Sequence, residues 1–315
     1  MEKEELRIIE RRRKERIYCI ILAAGNSERI GKCKQELLLN NVPLLLWNMK
    51  PFLCFDVTFV IVSGKYFANI NEIFKKNINE KYDNYSYYNY LCSKTYNIEN
   101  KNPQNGMFSS LKTGLEFIFN NLEKDTKKDF QIPPIFFTLS DMPFVQNQTI
   151  ESLYDSLLLS KVDFCVPAFN LQNFEKNEHI NKHNNYNKLA QYIYNKFYNK
   201  FYDKYSNKHL DQYSSAKKNF SNSKDKKNYL HPKNEKEYLN IENVSAIRKK
   251  GHPVILSSKF ACKFLQLDNI SILRDVLKTG SFFELETCDI GTIFDIDTMF
   301  DYNLAADFLN DGFFI

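Results

Sequence analysis

Long apolar runs are absent from this sequence of 315 residues: no stretch of 18 apolar residues occurs, so we expect no membrane-spanning helix. The segment 1–16 is densely charged and lacks the apolar core of a signal peptide, and we expect a solvated helical extension there. The seven cysteines include no C-x-x-C pair, which disfavours a disulfide framework or a zinc site. Cys19, Cys54 and Cys165 lie in apolar runs. We expect them to be buried thiols of a cytoplasmic protein.

The overall composition permits a folded core and an anionic ligand. Hydrophobic residues make up 43% of the chain, and the net charge of +5 suits an anionic substrate without requiring nucleic acid. Between 171 and 243, Asn, Lys and Tyr dominate and aliphatic residues are few, which predicts a mobile insertion. The aromatic and basic residues of this segment form no stacking motif, and we do not expect nucleic acid as a partner.

Apolar runs alternate with amphipathic segments from Ile17 to Phe169, which is typical of a mostly parallel α/β sheet covered by helices on both faces. The predicted strands are 17–22, 57–62, 135–139 and 164–167, and the predicted helices are 43–53, 68–76, 107–122 and 150–160. The first of these strands leads directly into an unusual loop.

That loop reads L-A-A-G-N-S-E-R-I-G-K-C-K from Leu22 to Lys34. Small residues let the backbone approach a ligand closely, and cations neutralise phosphate oxygens, so the loop is suited to wrapping a triphosphate. It is not a P-loop, because five residues separate Gly25 from Gly31 and Cys33 stands where a P-loop requires Ser or Thr.

The loop resembles the signature L-A-[AG]-G-x-S-x-R-M-G-x-x-K of the MobA-like nucleotidyltransferases. It departs from that signature only at Ile30, a mild apolar replacement. The resemblance implies that Arg29 and Lys34 are catalytic and neutralise the nucleotide phosphates. It also implies that nucleotide-binding residues lie at Leu22, Ala23, Ala24, Gly25 and Ser27.

A second stretch, Asn102–Leu115, resembles the family motif N-P-x-x-x-G-[ML]-x-x-S-[LVI]-x-x-G. Gly106 permits a tight turn, and Ser109 and Ser110 open a helix. The resemblance implies that these three residues contact the nucleotide. A plain helix N-terminus with no ligand explains the same residues.

Two acidic motifs are similar to the family's metal-binding segments. Asp141 follows the predicted strand Ile135–Leu139 in F-F-T-L-S-D-M-P, and the resemblance implies that Asp141 and Asp297 hold Mg²⁺. A simple turn before Pro143 also accounts for Asp141. The apolar alternation of Ile293–Thr298 predicts a strand with Asp295 and Asp297 on one face, followed by a helix capped by Thr298 and Asp301.

The segment Gly251–Ser257 reads G-H-P-V-I-L-S and resembles the G-[HN]-P-[VI]-L-[FVI]-S motif of the molybdenum-cofactor cytidylyltransferase branch. His252 could contact the acceptor substrate or hold its own loop, and the residues alone do not decide between the two. The segment Asp268–Leu277 resembles a short helix of the same branch. Its Arg274 faces either the substrate or solvent.

The resemblance implies a three-layer α/β sandwich with a Rossmann-like, mostly parallel sheet of the nucleotide-diphospho-sugar transferase type. The transferase domain would comprise 17–170 and 244–315, with 171–243 inserted. The implied reaction is Mg²⁺-dependent transfer of CMP from CTP to molybdopterin with release of pyrophosphate. Ala24, in place of the second glycine of the guanylyl branch, favours CTP. A molybdenum hydroxylase is the implied recipient of the product.

Two alternatives remain open from the sequence. One is a nucleotidyltransferase acting on a sugar phosphate or another small phosphate acceptor. The other is a non-catalytic protein that binds molybdenum cofactor. The presence of two acidic motifs together with Lys34 argues against this second alternative, because a protein that only binds the cofactor does not need a pair of metal ligands.

Overall fold

The computed structural model describes residues 15–79, 90–125, 132–170 and 248–310. The predicted insertion 171–243 and nearly all of the predicted extension 1–16 therefore lie outside the described residues. In the part of the chain that is described, no helix is both long enough and apolar enough to cross a membrane.

A central sheet dominates the described residues. Its strands, with a small separate β2–β3 hairpin, are β1 (Arg16–Ala23), β2 (Leu38–Leu39), β3 (Val42–Pro43), β4 (Asp56–Ser63), β5 (Thr95–Glu99), β6 (Ile135–Leu139), β7 (Phe164–Asn170), β8 (Arg248–Lys250), β9 (Val254–Leu256) and β10 (Phe282–Thr287). The order across the sheet is β10-β7-β9-β6-β1-β4-β5, and β8 pairs with β7. Strands β6, β1, β4 and β5 are mutually parallel, as are β7 and β10, whereas β9 runs antiparallel to both β6 and β7.

Helices cover both faces of this sheet. They are α1 (Leu44–Met49), α2 (Phe67–Asn79), α3 (Met107–Asp125), α4 (Asn147–Ser160), α5 (Ser258–Leu265), α6 (Leu273–Leu277) and α7 (Met299–Asn310). One apolar cluster contains residues of α1, α2 and α4, and a second contains residues of α3 and α5. The expected three-layer α/β architecture with a mostly parallel sheet is confirmed.

Strand β1 lies between the two apolar clusters and contributes side chains to both. Cys19 and Ile21 face the first cluster and Ile20 and Leu22 face the second, as the two-residue period of a strand requires. Helix α3 approaches this strand so closely that a Cβ at Gly114 would lie 2.8 Å from Ile20 Cγ2. A strand buried on both faces explains why its sequence is an unbroken apolar run.

The predicted strand over Ile293–Thr298 is wrong. After a 3-10 turn at Ile290–Thr292 the chain forms an irregular loop until α7 begins. Its backbone hydrogen-bonds to turns instead of a neighbouring strand: Phe294 N donates to Ile290 O at 3.0 Å, and Ile296 N donates to Asp141 O at 2.9 Å. The apolar residues of this loop are buried in the tertiary structure without any strand pairing.

The predicted cap of the last helix is present. Thr298 N donates to Asp301 Oδ2 at 2.8 Å, and Asp301 N donates back to Thr298 Oγ1 at 3.2 Å. This reciprocal arrangement is a capping box, with Asp in the position usually taken by Glu. The short helix expected in Asp268–Leu277 occupies only Leu273–Leu277.

Candidate active site at the carboxyl edge of the sheet

The loop that leaves β1 lies at the carboxyl edge of the parallel strands, where open α/β sheets bind ligands. The side chains of Leu22 and Ala23 are buried in the core, so only their backbone could meet a ligand. Ala24 and Gly25 follow at the surface, and no atom lies within 4 Å of a Cβ built on Gly25. Open space at this glycine is what a backbone that approaches a phosphate needs.

The loop closes on itself at Ser27. The amide of Gly31, with φ +75°, donates to Ser27 O at 2.9 Å. Positive φ at this position favours glycine. The buried Oγ of Ser27 has no hydrogen-bond partner among the described residues.

Lys34 lies in a 3-10 turn, Lys34–Glu36, that is anchored to the end of β6. The buried Gln35 donates from Nε2 to Ser140 Oγ at 2.8 Å. On the other side of Ser140, Asn48 donates to the carbonyl oxygen of Ser140 at 2.9 Å and accepts from Met142 N at 3.1 Å. Asn48 therefore fixes the backbone on both sides of Asp141, and Gln35 ties the turn that carries Lys34 to the side chain of Ser140.

These anchors bring together four of the predicted site residues. Lys34 forms an ion pair with Asp141, and its Nζ lies 3.6 Å from Asp297 Oδ1. Arg29 Nη1 lies 3.2 Å from Asp297 Oδ2. The amide of Ile296 donates to the carbonyl of Asp141, so the loop that carries Asp297 is tied to the end of β6.

In this cluster, the negative charge of the buried Asp141 carboxylate is only partly balanced by the neighbouring Lys34. Burial alone would lower the pKa of Lys34, but the combined effect of Asp141, Asp297 and Asp295 outweighs burial, and the pKa is raised. Lys34 is therefore an ammonium at neutral pH. Burial raises the pKa of the Asp141 carboxyl, and Lys34 opposes this rise.

The donor set fits a hard divalent cation. Asp141 and Asp297 offer carboxylate oxygens, and the buried Oδ1 of Asp141 has no hydrogen-bond partner among the described residues. Mg²⁺ typically takes one or two protein carboxylates and completes its shell with water and substrate phosphates. The described residues contain no group of three or more His, Cys, Asp or Glu side chains placed for a metal. Substrate and water would therefore supply the remaining ligands.

The predicted nucleotide contacts at the start of α3 are arranged differently from the cluster. Gly106, with φ +89°, precedes α3 and leaves open space around a built Cβ. The hydroxyls of Ser109 and Ser110 are buried, and each accepts a hydrogen bond of 2.9 Å from Asn100 Nδ2. These two hydroxyls hold the connection between β5 and α3, which is what the plain helix-terminus interpretation describes.

A cavity of about 950 Å³ opens beside the start of α3. Its lining is partly aromatic and partly cationic and includes Gly106, Phe137, Phe164, Lys250, His252 and Arg274. Strand β6 links the cavity to the ion-paired cluster, because Phe137 of this strand lines the cavity and Asp141 follows the end of the strand. Asp295 acts on the pKa values of both His252 and Lys34.

His252 is held firmly at the wall of this cavity. Its amide donates to Thr292 O at 2.9 Å, and a Cβ on the preceding Gly251 would lie 2.0 Å from that same oxygen. The imidazole packs edge to face on Phe137, with ring centroids 5.8 Å apart. Burial lowers its pKa to about 4, so His252 is neutral at physiological pH. Its buried Nδ1 has no hydrogen-bond partner among the described residues.

The turn that holds His252 depends on Asp289, which the sequence motifs did not indicate. Buried Asp289 accepts from Gln146 N at 2.9 Å, from Thr149 Oγ1 at 2.7 Å and from Gly291 N at 2.9 Å. Burial raises the pKa of this carboxyl to about 6. Asp289, like Gln35 and Asn48, is a buried polar residue inside a mainly apolar region, and such residues require partners that only the fold reveals.

A doubly covered, mostly parallel sheet with cations and carboxylates gathered at its carboxyl edge is typical of α/β domains that bind a ligand at that edge. The chain matches the family profile described as the MobA-like NTP transferase domain over residues 19–286. The protein belongs to this family of nucleotidyltransferases.

Solved structures of low sequence identity also resemble the chain. CMP:2-keto-3-deoxy-manno-octonic acid synthetase complexed with CTP is 9% identical with a TM-score of 0.50, covering 95% of this chain and 99% of that one. Molybdopterin-guanine dinucleotide biosynthesis protein A from Archaeoglobus fulgidus is 13% identical with a TM-score of 0.47, covering 93% and 98%. Rv0371c from Mycobacterium tuberculosis in complex with manganese is 12% identical with a TM-score of 0.45, covering 93% and 99%.

The first of these structures supports the fold. No curated relative matches the chain.

Proposed function

We propose that this protein transfers CMP from CTP to molybdopterin and releases pyrophosphate. The cluster of Arg29, Lys34, Asp141 and Asp297 supports this proposal most directly, because it gathers two cations and two carboxylates beside a loop with open backbone. Such a site suits a triphosphate with a bridging divalent cation.

In the proposed reaction, a phosphate oxygen of the acceptor attacks the α-phosphorus of CTP. The new P–O bond forms as the bond to the β-phosphate oxygen breaks, and pyrophosphate leaves with the negative charge. The acceptor phosphate is already an anion at neutral pH, so no side chain has to remove a proton. Catalysis then consists mainly of positioning and charge stabilisation.

Each residue of the cluster has a distinct proposed role. Arg29, on the exposed part of the loop, binds the outer phosphates. Lys34 neutralises charge at the α-phosphate, and Asp141 and Asp297 would hold Mg²⁺. Bound there, Mg²⁺ would supply positive charge that stabilises the negative charge of the triphosphate. The backbone of 22–25 and Ser27 form the remainder of the phosphate loop, and Gly106 allows the nucleotide to approach α3.

The neighbouring cavity is the proposed acceptor site. The exposed Phe282 offers apolar surface to a flat ring, and Arg274 is a cation for an anionic substituent, together with Lys250, which also pairs with Glu284 at 2.6 Å. Because His252 is neutral, it is suited to a hydrogen bond with a pterin and not to charge pairing with phosphate. This combination favours an acceptor that carries both a ring and a phosphate. A molybdenum hydroxylase is the proposed recipient of the product.

Pyrophosphate release tests this function. Purified protein is incubated with each of the four NTPs and Mg²⁺, with and without molybdopterin. We expect release with CTP that depends on molybdopterin. Release with a sugar phosphate or another small phosphate acceptor in place of molybdopterin would keep the transferase class and replace the acceptor. Failure to release pyrophosphate with any NTP and all these acceptors would contradict the proposal.

A further inference from the structure

The ammonium of Lys34 lies where the two predicted metal ligands converge. It forms an ion pair with Asp141, approaches Asp297 Oδ1 to 3.6 Å and lies 3.5 Å from the backbone oxygen of Ile296. The side chains of Lys34 and Asp141 are only 12% and 11% exposed. A cation approaching Asp141 from solvent therefore meets Lys34.

Hydrogen bonds fix the backbones that carry the two carboxylates, whereas the ammonium of Lys34 lies at the end of a flexible side chain. The amide of Ile296 donates to Asp141 O at 2.9 Å, and Asp297 N donates to Asp301 Oδ2 at 3.0 Å. Both carboxylates can therefore keep their places while the four-carbon stem of Lys34 rotates away. A lysine ammonium is a point charge on a flexible stem, which makes it an exchangeable counter-cation.

Lys34 leaves Asp141 only partly satisfied. Asp141 is 8% exposed, and its buried Oδ1 has no hydrogen-bond partner among the described residues. A buried carboxylate oxygen without a partner is costly, so the site stabilises a further or more highly charged cation.

We propose that Lys34 is an internal counter-cation that competes with the divalent metal for the Asp141–Asp297 pair. This inference rests on the proposed function, because it uses the metal and triphosphate assigned there. Without nucleotide, the pair binds divalent metal weakly since Lys34 compensates the carboxylates. When a triphosphate arrives, its oxygens attract Lys34, and the pair becomes free for the metal. Metal and nucleotide therefore bind with positive coupling.

Mn²⁺ binding in the absence of nucleotide tests the competition. The free Mn²⁺ signal in electron paramagnetic resonance gives the Kd for wild type and for Lys34→Gln. The matched control is Lys32→Gln, which removes an exposed cation from the same loop. We expect K34Q to bind Mn²⁺ at least tenfold more tightly than wild type, and K32Q to bind like wild type. We also expect α,β-methylene-CTP to tighten Mn²⁺ binding more in wild type than in K34Q.

A second measurement uses the wild-type protein alone, in case K34Q folds poorly. Reductive methylation followed by mass spectrometry reports the accessibility of each lysine. We expect Lys34 to react slowly without metal and at least several-fold faster in saturating Mn²⁺, while the rate at Lys32 is unchanged.

Three outcomes would overturn the inference. Mn²⁺ binding that is equal or weaker in K34Q than in wild type shows that Lys34 is no competitor, and leaves the proposed transferase intact. If Mn²⁺ does not change the rate of Lys34 methylation, this also shows that Lys34 does not compete with the metal. Failure of every form to bind Mn²⁺, with α,β-methylene-CTP present, would remove the metal site and the proposed chemistry together.

Discussion

Arg29 Nη1 lies 3.2 Å from Asp297 Oδ2, although 268 residues separate them in the chain. The Arg29 side chain is 72% exposed and that of Asp297 is 34% exposed. An ion pair this accessible typically contributes between about 0 and 1 kcal/mol to stability. The pair therefore joins the loop after β1 to the loop before α7 at the site. The fold does not depend on it for stability.

Arg29→Gln should separate function from stability. We expect the free energy of unfolding to change by less than about 0.5 kcal/mol, because the lost pair is exposed. We expect kcat/KM for CTP to fall by roughly tenfold or more, since a charge-assisted contact to phosphate is lost. Urea unfolding and steady-state kinetics measure the two effects, with Lys32→Gln as the control for loss of a loop cation. A large loss of stability with unchanged kinetics would show that Arg29 stabilises the fold and does not bind the phosphates.

Asp141→Asn and Asp297→Asn should each abolish most Mg²⁺-dependent transfer. Asn retains the size of Asp but is a poorer metal ligand, and we expect kcat/KM to fall by roughly 10² or more. Asp295→Asn makes the same change two residues from Asp297 and should have a much smaller effect. Circular dichroism checks that each variant is folded. Turnover near that of wild type in either D141N or D297N would exclude a metal-ligand role for that residue.

The half-buried imidazole of His252 should make stability fall in acid. Its pKa of about 4 in the folded protein lies below the ordinary value of 6.5. The unfolded chain therefore binds a proton first as pH falls through 6.5, and this contribution to stability is progressively lost down to about pH 4.

The expected size is about 1–2 kcal/mol between pH 7.5 and pH 5, with partial solvent exposure taken into account. His252→Gln, which cannot titrate, should show a smaller loss over the same interval. Urea unfolding at both pH values measures the difference. Identical pH dependence in the two proteins would show that the imidazole is not protected from protonation.

We expect a variant that lacks residues 171–247 to remain active. Asn170 at the end of β7 pairs directly with Arg248 at the start of β8 in an antiparallel register. The two ends can therefore be joined by a tight hairpin turn such as Asn-Gly. We expect this deletion variant to fold and to keep its kcat/KM for CTP within about threefold. A variant that folds but does not turn over CTP would show that the segment contributes to the site.

The sequence was sufficient to predict the parts of the fold that rest on local pattern. The apolar run of β1 and the strand before Asp141 were placed to within a residue or two, because buried parallel strands have an unmistakable composition. The position of the loop after β1 was also predictable, since its small residues and cations lie close together in the sequence.

Features that depend on distant partners were not predictable. The loop Ile293–Thr298 has an apolar pattern suited to a strand, but its backbone bonds to turns around Ile290 and Asp141. The hydrogen bonds that Asn100 donates to the hydroxyls of Ser109 and Ser110 were likewise not predictable from the sequence. Buried hydrogen bonds of this kind join residues whose proximity is set by the tertiary fold.

Competition between CTP and GTP for transfer to molybdopterin tests the central claim most directly. With both nucleotides labelled at the α-phosphate, each dinucleotide product is separated and counted, and the ratio gives relative kcat/KM. The account predicts molybdopterin cytosine dinucleotide as the main product. It also predicts that Ala24→Gly lowers the CTP/GTP ratio without inverting it, because one methyl group contributes only about 1–3 kcal/mol of discrimination. A wild-type preference for GTP, or no labelled dinucleotide from CTP, would contradict the account.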